Sequence, residues 1–319
     1  MGREFVAATG PRLRPAGDSS ATLEEPTEPI RLASRLGLVV LCLAAAFAYR
    51  ASVSLIPTGI WEDAFLLGLS ALFLVIALLA RRTQSLSKYW EIPFAFFVFT
   101  IAGFAGDVNI SPLQRGFITG VLHQSSTTND PLASTVMGTV LVQVFSTICI
   151  VVPIVALTRA SGRDLSTIFI CKPKNHVGLI VGVIGFIAFY VLAARGRTAA
   201  FFPNSGVSFS HFLALTPALL VLVLCNGLRE ELWFRGLFLK KYGRFLGRWS
   251  SNVLAAVIFT SFHVQVQYAL HILPFLGFTL ILGLVFGYLM QKSGSLLGPA
   301  ILHAGSDIPI FLAYLSYVS

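Results

Sequence analysis

Long apolar runs, each closed by a short polar or basic stretch, repeat along this chain from residue 36 to its end. A helix that crosses a bilayer needs roughly 20 mostly apolar residues. The runs at 36–56, 64–80, 92–106, 135–158, 177–194, 210–239, 250–267, 270–290 and 295–317 meet or approach that length. A backbone in lipid must satisfy its own hydrogen bonds, so each run is predicted to be a helix. The predicted fold is all-α, a polytopic transmembrane helix bundle of about eight or nine spans. The third run is short and ends at Gly106-Asp107, the length of a re-entrant segment. The sixth is long enough to tilt or to pass beyond the membrane. Gly283-Leu-Val-Phe-Gly287 lies within the eighth and predicts close helix packing inside the monomer rather than dimerisation.

Composition agrees. The chain is 55% hydrophobic and 12% charged, and an ordinary soluble domain carries about 25% charged residues. Too few charges are present to cover a water-facing surface. The net charge of +9 would suggest nucleic acid in a soluble protein. Here the basic residues sit between apolar runs, as membrane topology requires, so the expected partner is membrane lipid and not nucleic acid. Most of the 23 Lys and Arg fall on one set of alternate connections. Examples are Arg81, Arg82 and Lys88; Arg159, Arg163, Lys172 and Lys174; and Lys240, Lys241, Arg244, Arg248 and Lys292. The other set holds Arg115, Arg195 and Arg197, while Arg50, Arg229 and Arg235 lie within spans. This asymmetry predicts a multi-pass cell-membrane protein with a cytoplasmic N-terminus and an external C-terminus. Residues 1–33, rich in Arg, Glu, Pro, Gly and Ala, read as a disordered cytoplasmic tail without a signal peptide. Residues 34–208 form N-terminal transmembrane helices, and 209–319 a separate helix core. Cys42, Cys149, Cys171 and Cys225 form no CxxC and suggest no disulfide framework.

Ionisable groups inside a span are costly and usually functional. They gather in the last third of the chain: Asn226, Arg229, Glu230, Glu231 and Arg235 in the sixth run, His263 in the seventh, His303 and Asp307 in the ninth. Counted from the proposed cytoplasmic ends, Glu230, His263 and His303 lie roughly 15, 20 and 15 Å along their helices, at one level. Glu231 and Arg235 are four apart and pair on one face. Glu230 is rotated by about 100° from Glu231 and shares a face with Asn226. Glu231 is therefore expected to hold Arg235 and to leave Glu230 for chemistry as a general base. A buried ion network that only locks helices together would use the same residues. His303 and Asp307 are also four apart. Asp307 either accepts the ring N–H of His303, fixing its tautomer, or polarises substrate directly.

These stretches, Glu230-Glu231-Leu-Trp-Phe-Arg235, Phe259-Thr-Ser-Phe-His263 and His303-Ala-Gly-Ser-Asp307, resemble the EExxxR, FxxxH and HxxxN/D motifs of one family. It is the CAAX-processing and bacteriocin-processing family of intramembrane proteases, which includes the type II CAAX prenyl endopeptidases and the bacterial Abi proteins. The motifs stand in order on separate apolar runs, within residues 210–315. Asp307 stands where the prenyl endopeptidases have Asn, which weakens transfer of their specificity.

The resemblance implies a catalytic helix core over 209–319 and an intramembrane endopeptidase. Its substrate would be a membrane-associated, lipidated or secreted-precursor peptide. Glu230 would activate water, His263 would position it, and His303 and Asp307 would stabilise the oxyanion. Glu231, Arg235 and Asn226 would support the site. The family has been described both as metalloproteases and as glutamate-dependent proteases. A Zn2+ ion held by Glu230, His263 and His303 and a metal-free mechanism therefore both stay open. A non-catalytic scaffold or bacteriocin immunity protein on the same helices would show a lost motif residue, and none is lost. A transporter would share the midplane charges, but no repeated pair of broken helices is visible.

Overall fold

With no water in the hydrocarbon core to pair exposed N–H and C=O groups, the apolar runs close their hydrogen bonds within themselves. A computed structural model of the protein describes residues 32–56, 60–120, 135–199, 202, 205–264 and 271–319, with the backbone alone at 52–54 and 107–120. The predicted tail lies almost wholly outside the described residues. Those residues form α1 (Leu32–Leu55), α2 (Ile60–Arg82), α3 (Glu91–Gly120), α4 (Val136–Ala160), α5 (Val177–Ala194), α6 (Phe209–Glu230), α7 (Leu239–Ser261), α8 (Ile272–Ser293) and α9 (Leu297–Val318). A 3₁₀ turn at Leu165–Ile168 precedes α5, and a π-turn at Glu231–Gly236 follows α6. No strand occurs among the described residues. The architecture is all-α and polytopic, as predicted.

Seven of these helices are long and apolar enough to cross a membrane: α1, α2, α4, α5, α6 with its π-turn, α8 and α9. The chain is a multi-pass membrane protein. The count falls below the expected eight or nine for two reasons. The apolar part of α3 covers only Glu91–Gly106, although the helix continues to Gly120 and does not end at Gly106-Asp107 as a re-entrant segment would. The sixth run does not continue to 239. It ends in the π-turn, and α7, which holds the seventh run, opens at Leu239 with Lys240, Lys241 and Arg244 and is not among the spans. That basic opening is itself helical and is separated from the rest of α7 by Gly247, at φ 79° and ψ 174°. Only glycine adopts this conformation without strain.

Close helix approach sets the position of the C-terminal core. A Cβ at Gly227 on α6 would lie 2.5 Å from the Ala300 carbonyl oxygen and 2.9 Å from the Ala304 nitrogen on α9. A Cβ at Gly305 would lie 2.7 Å from Cα of Phe186 on α5. Small residues thus draw α5 and α6 against α9, the usual means of packing helices where lipid supplies no hydrophobic drive. The α9 window is accordingly 56% buried, against 17% for α5. At the basic end, residues 169–175 clamp the α8–α9 turn. Lys174 N donates to Ser293 O at 2.7 Å, Leu296 N to Phe169 O at 3.0 Å, and Asn175 Nδ2 to Lys292 O at 2.9 Å. The Gly283/Gly287 pair packs α8 against α7, since a Cβ at Gly283 meets Ala256 and one at Gly287 meets Asn252. The contact lies within the monomer, as expected.

Candidate active site

The π-turn carries the first motif. Leu237 N bonds to Leu232 O at 3.1 Å, the i→i−5 pattern of a wider turn, and such turns often occur at functional sites. Trp233 Nε1 donates to Phe99 O at 3.0 Å and its ring stacks on Phe99 at 4.8 Å, fixing the turn to α3. Glu231 and Arg235 point inward and are wholly buried. Arg235 Nη1 donates to Glu231 Oε1 at 2.5 Å, the pair predicted from their spacing. Arg235 Nε donates to Gly283 O at 3.3 Å. The guanidinium lies over the Phe259 ring at 4.3 Å and the Phe286 ring at 5.3 Å. The phenylalanine of the second motif thus packs the arginine of the first.

His303 joins this buried pair. Its Nδ1–H donates to Glu231 Oε1 at 2.8 Å, and its ring stacks on Phe286 at 4.9 Å. Glu231, not Asp307, therefore fixes the tautomer and orientation of His303. The reason is geometric: Asp307 lies on the other side of the ring, with Oδ1 at 3.6 Å from Nε2. Glu230 Oε2 lies 3.7 Å from the same Nε2. Both distances exceed a direct hydrogen bond.

A second polar group reaches the cluster from α4. Gln143 Nε2 donates to Asn226 Oδ1 at 3.2 Å, and Asn226 Nδ2 donates to Asp307 Oδ2 at 2.8 Å. Arg229 Nη1 donates to Ser146 Oγ at 2.7 Å, and its Nη2 donates to Glu230 Oε1 at 3.2 Å and to Asn226 Oδ1. Gln143 and Ser146 were not anticipated. Arg229 was visible only as a charge within a span, and such a charge needs a partner.

All four proposed catalytic side chains, Glu230, His263, His303 and Asp307, line one cavity of about 640 Å³. His263 Nδ1–H donates to Phe259 O at 2.9 Å, which leaves Nε2 as its available nitrogen. Beyond the polar cluster the cavity wall is aromatic, with Phe275, Phe278, Phe311, Tyr314 and Tyr317. These residues lie where α8 begins and α9 ends, away from the basic connections. The cavity therefore rises away from the basic end of the bundle. Among the described residues no three His, Cys, Asp or Glu side chains form a group that holds a metal ion. The zinc set of Glu230, His263 and His303 does not close around an ion in this arrangement.

Residues 212–308 match the family model described as Rce1-like, type II CAAX prenyl endopeptidase Rce1-like. The matched segment runs from α6 into α9 and contains all three motifs. No curated protein and no solved structure matches the chain. The matched segment lies in the C-terminal core, and the matching model is of the family that the motifs resemble.

Proposed function

We propose, from the premise that residues 212–308 are an Rce1-like core, that the protein is an intramembrane endopeptidase using a glutamate-activated water. The observation that carries this reading is the state of Glu230. Its Oε1 is held by Arg229, while its Oε2 is buried and takes no hydrogen bond from any protein group. That oxygen faces His303 Nε2 across 3.7 Å, at the head of the cavity. A carboxylate with one oxygen anchored and the other open is a positioned base.

In this reaction Glu230 Oε2 takes a proton from water as the oxygen attacks the peptide carbonyl carbon. His263 Nε2 accepts the second water hydrogen and so aims the lone pair. The carbonyl π bond becomes an oxyanion, which accepts a hydrogen bond from Nε2–H of a protonated His303, with the Asp307 carboxylate 3.6 Å from that nitrogen. Collapse of the tetrahedral intermediate breaks the C–N bond, and Glu230 returns its proton to the leaving amine. The products are a carboxylic acid and an amine, which ionise to a carboxylate and an ammonium. Glu231 and Arg235 hold His303, and Asn226 holds Asp307. The apolar, aromatic cavity suits a membrane-associated or lipidated peptide. No step passes through a metal.

The test is cleavage of a quenched fluorescent peptide library, with and without a farnesylated cysteine, by detergent-purified wild type and Glu230→Gln. Cleavage by wild type alone is expected. Full activity in Glu230→Gln would overturn the mechanism. Absence of cleavage by a well-folded wild type would instead favour a non-catalytic scaffold.

A further inference from the structure

Between Glu231 and Asp307 the chain contains no acidic residue. Most cations in this stretch find acceptors elsewhere. Arg244 lies 3.5 Å from Glu91, and Lys240 Nζ donates to Ser166 O at 2.6 Å. Arg248 and Lys292 do not. Both lie beside one tyrosine: the Arg248 guanidinium is 5.2 Å from the Tyr288 ring centre and the Lys292 ammonium 5.6 Å. Among the described residues neither makes an ion pair, and Arg248 Nη2 is a buried donor with no acceptor there. Two like charges held around one ring, with an unused donor between helices, form a site that an anion would complete.

The surroundings identify the anion. Trp249 is 69% exposed and stacks on Tyr288 at 6.4 Å, an aromatic pair at the basic end of α7 and α8. Tryptophan and tyrosine favour the headgroup level of a bilayer. From that pair two exposed apolar stripes run along the helices towards the membrane centre. Trp249, Val253 and Val257 are spaced by four on α7. On α8, Ile281 and Val285 are in register with Tyr288 and Lys292 at helical spacing. The Asn252 Nδ2 bond to Leu284 O at 2.8 Å keeps the two helices side by side. We propose that the outer seam of α7 and α8 binds an anionic phospholipid. Its phosphate sits between Arg248 and Lys292, and its acyl chains lie along the two stripes. A soluble phosphate would use only the upper part of this surface, so the lipid is the occupant that fits the whole of it. The same helices carry His263 and the Gly283 contact with Arg235, which places the lipid directly behind the proposed catalytic cluster.

The experiment is native mass spectrometry of the detergent-purified full chain, titrated with phosphatidylglycerol and, separately, with phosphatidylcholine. Three proteins are compared: wild type, the double variant Arg248→Gln/Lys292→Gln, and the equal-charge control Arg195→Gln/Arg197→Gln. Wild type should retain phosphatidylglycerol over phosphatidylcholine. The Arg248/Lys292 variant should lose about tenfold or more in that affinity, from about 1 kcal/mol per basic residue, and the control should not. Equal loss in both variants would mean diffuse attraction and overturn the site. So would competition by free glycerol phosphate at the lipid's own concentration. Thermal melting provides a second reading independent of the charge changes. Phosphatidylglycerol should raise the melting temperature of wild type and of a Glu230→Gln protein alike, and no rise in either would count against the proposal. Because the readout is binding, it stands or falls separately from proteolysis.

Discussion

On the α8 side of the first motif, Glu231 and Arg235 are wholly buried, packed between Phe259 and Phe286 and bonded to each other and to His303. On the α4 side, Glu230 and Arg229 keep 16% and 17% of their side-chain surface and line the cavity, and Arg229 bonds to Glu230, Asn226 and Ser146. The two glutamates are adjacent in the chain and differ by about 100° around the helix. That rotation separates a dry, closed ion pair from an open carboxylate. A buried pair adds little net stability, but loss of one partner is severe because it strands a charge. An open carboxylate costs stability little when changed and takes the chemistry with it. The comparison therefore predicts opposite phenotypes for neighbouring residues.

The largest effect should come from the open side. Glu230→Gln keeps the side-chain shape and removes the base. The rate of peptide cleavage should fall by about 10²- to 10⁴-fold, with the melting temperature in detergent close to that of wild type. A large fall in melting temperature would place Glu230 in the structural pair with Glu231 and remove the distinction.

On the closed side, Arg235→Ala should cost about 3–5 kcal/mol of stability, because Glu231 would be left buried without its cation. The readout is thermal unfolding in detergent, or failure of the protein to accumulate. Simultaneous replacement of Glu231 and Arg235 by Leu and Met should recover much of the fold and none of the activity, since His303 would lose its anchor. Unchanged stability in Arg235→Ala would mean that Phe259 and Phe286, not the ion pair, hold this side together.

Asn226 belongs to the open side but touches no reacting atom. It positions Asp307 through Oδ2, and is itself fixed by Gln143. Loss of one such hydrogen bond is worth about 1–3 kcal/mol. Asn226→Leu should therefore lower kcat roughly tenfold with little change in KM, and Asn226→Gln should restore part of it. An effect on KM alone would indicate a substrate contact instead.

Much of this division was legible in the sequence, because it depends on local arithmetic. The four-residue step from Glu231 to Arg235 and the common depth of the three motifs need only helix geometry. The anchor of His303 was not legible. Glu231 meets it across the α6–α9 interface, 72 residues away in the chain, where spacing along one helix gives no information. Asp307 was the nearer candidate by sequence and lies on the wrong side of the ring. Gln143 and Ser146 were hidden for the same reason, as ordinary polar residues in an apolar run that become significant only where α4 meets α6. The basic stretch 240–248 reads as a connection because of its charges. It folds as a helix because its apolar residues, Leu239, Tyr242, Phe245 and Leu246, still recur on one buried face. The glycine that breaks it was the only local sign of where α7 turns into the bundle.

The smallest effect concerns how tightly the closed side is sealed. Gly283 supplies the carbonyl that accepts from Arg235 Nε, and a Cβ there would stand 3.0 Å from Arg235 Nη2 and 3.3 Å from the Ala256 Cβ. Neither neighbour can give freely, since the guanidinium is fixed between two rings and Ala256 is fully buried. Gly283→Ala should thus cost about 1 kcal/mol through overpacking, seen as a small fall in melting temperature. Ala256→Gly in the same protein removes the Cβ on the facing helix and should return part of that loss. Cleavage should change less than in Asn226→Leu, because the open side is untouched. If Gly283→Ala instead abolished cleavage at unchanged stability, the guanidinium would have to act on the cavity side, and the boundary between the two regions would need to be redrawn through Arg235.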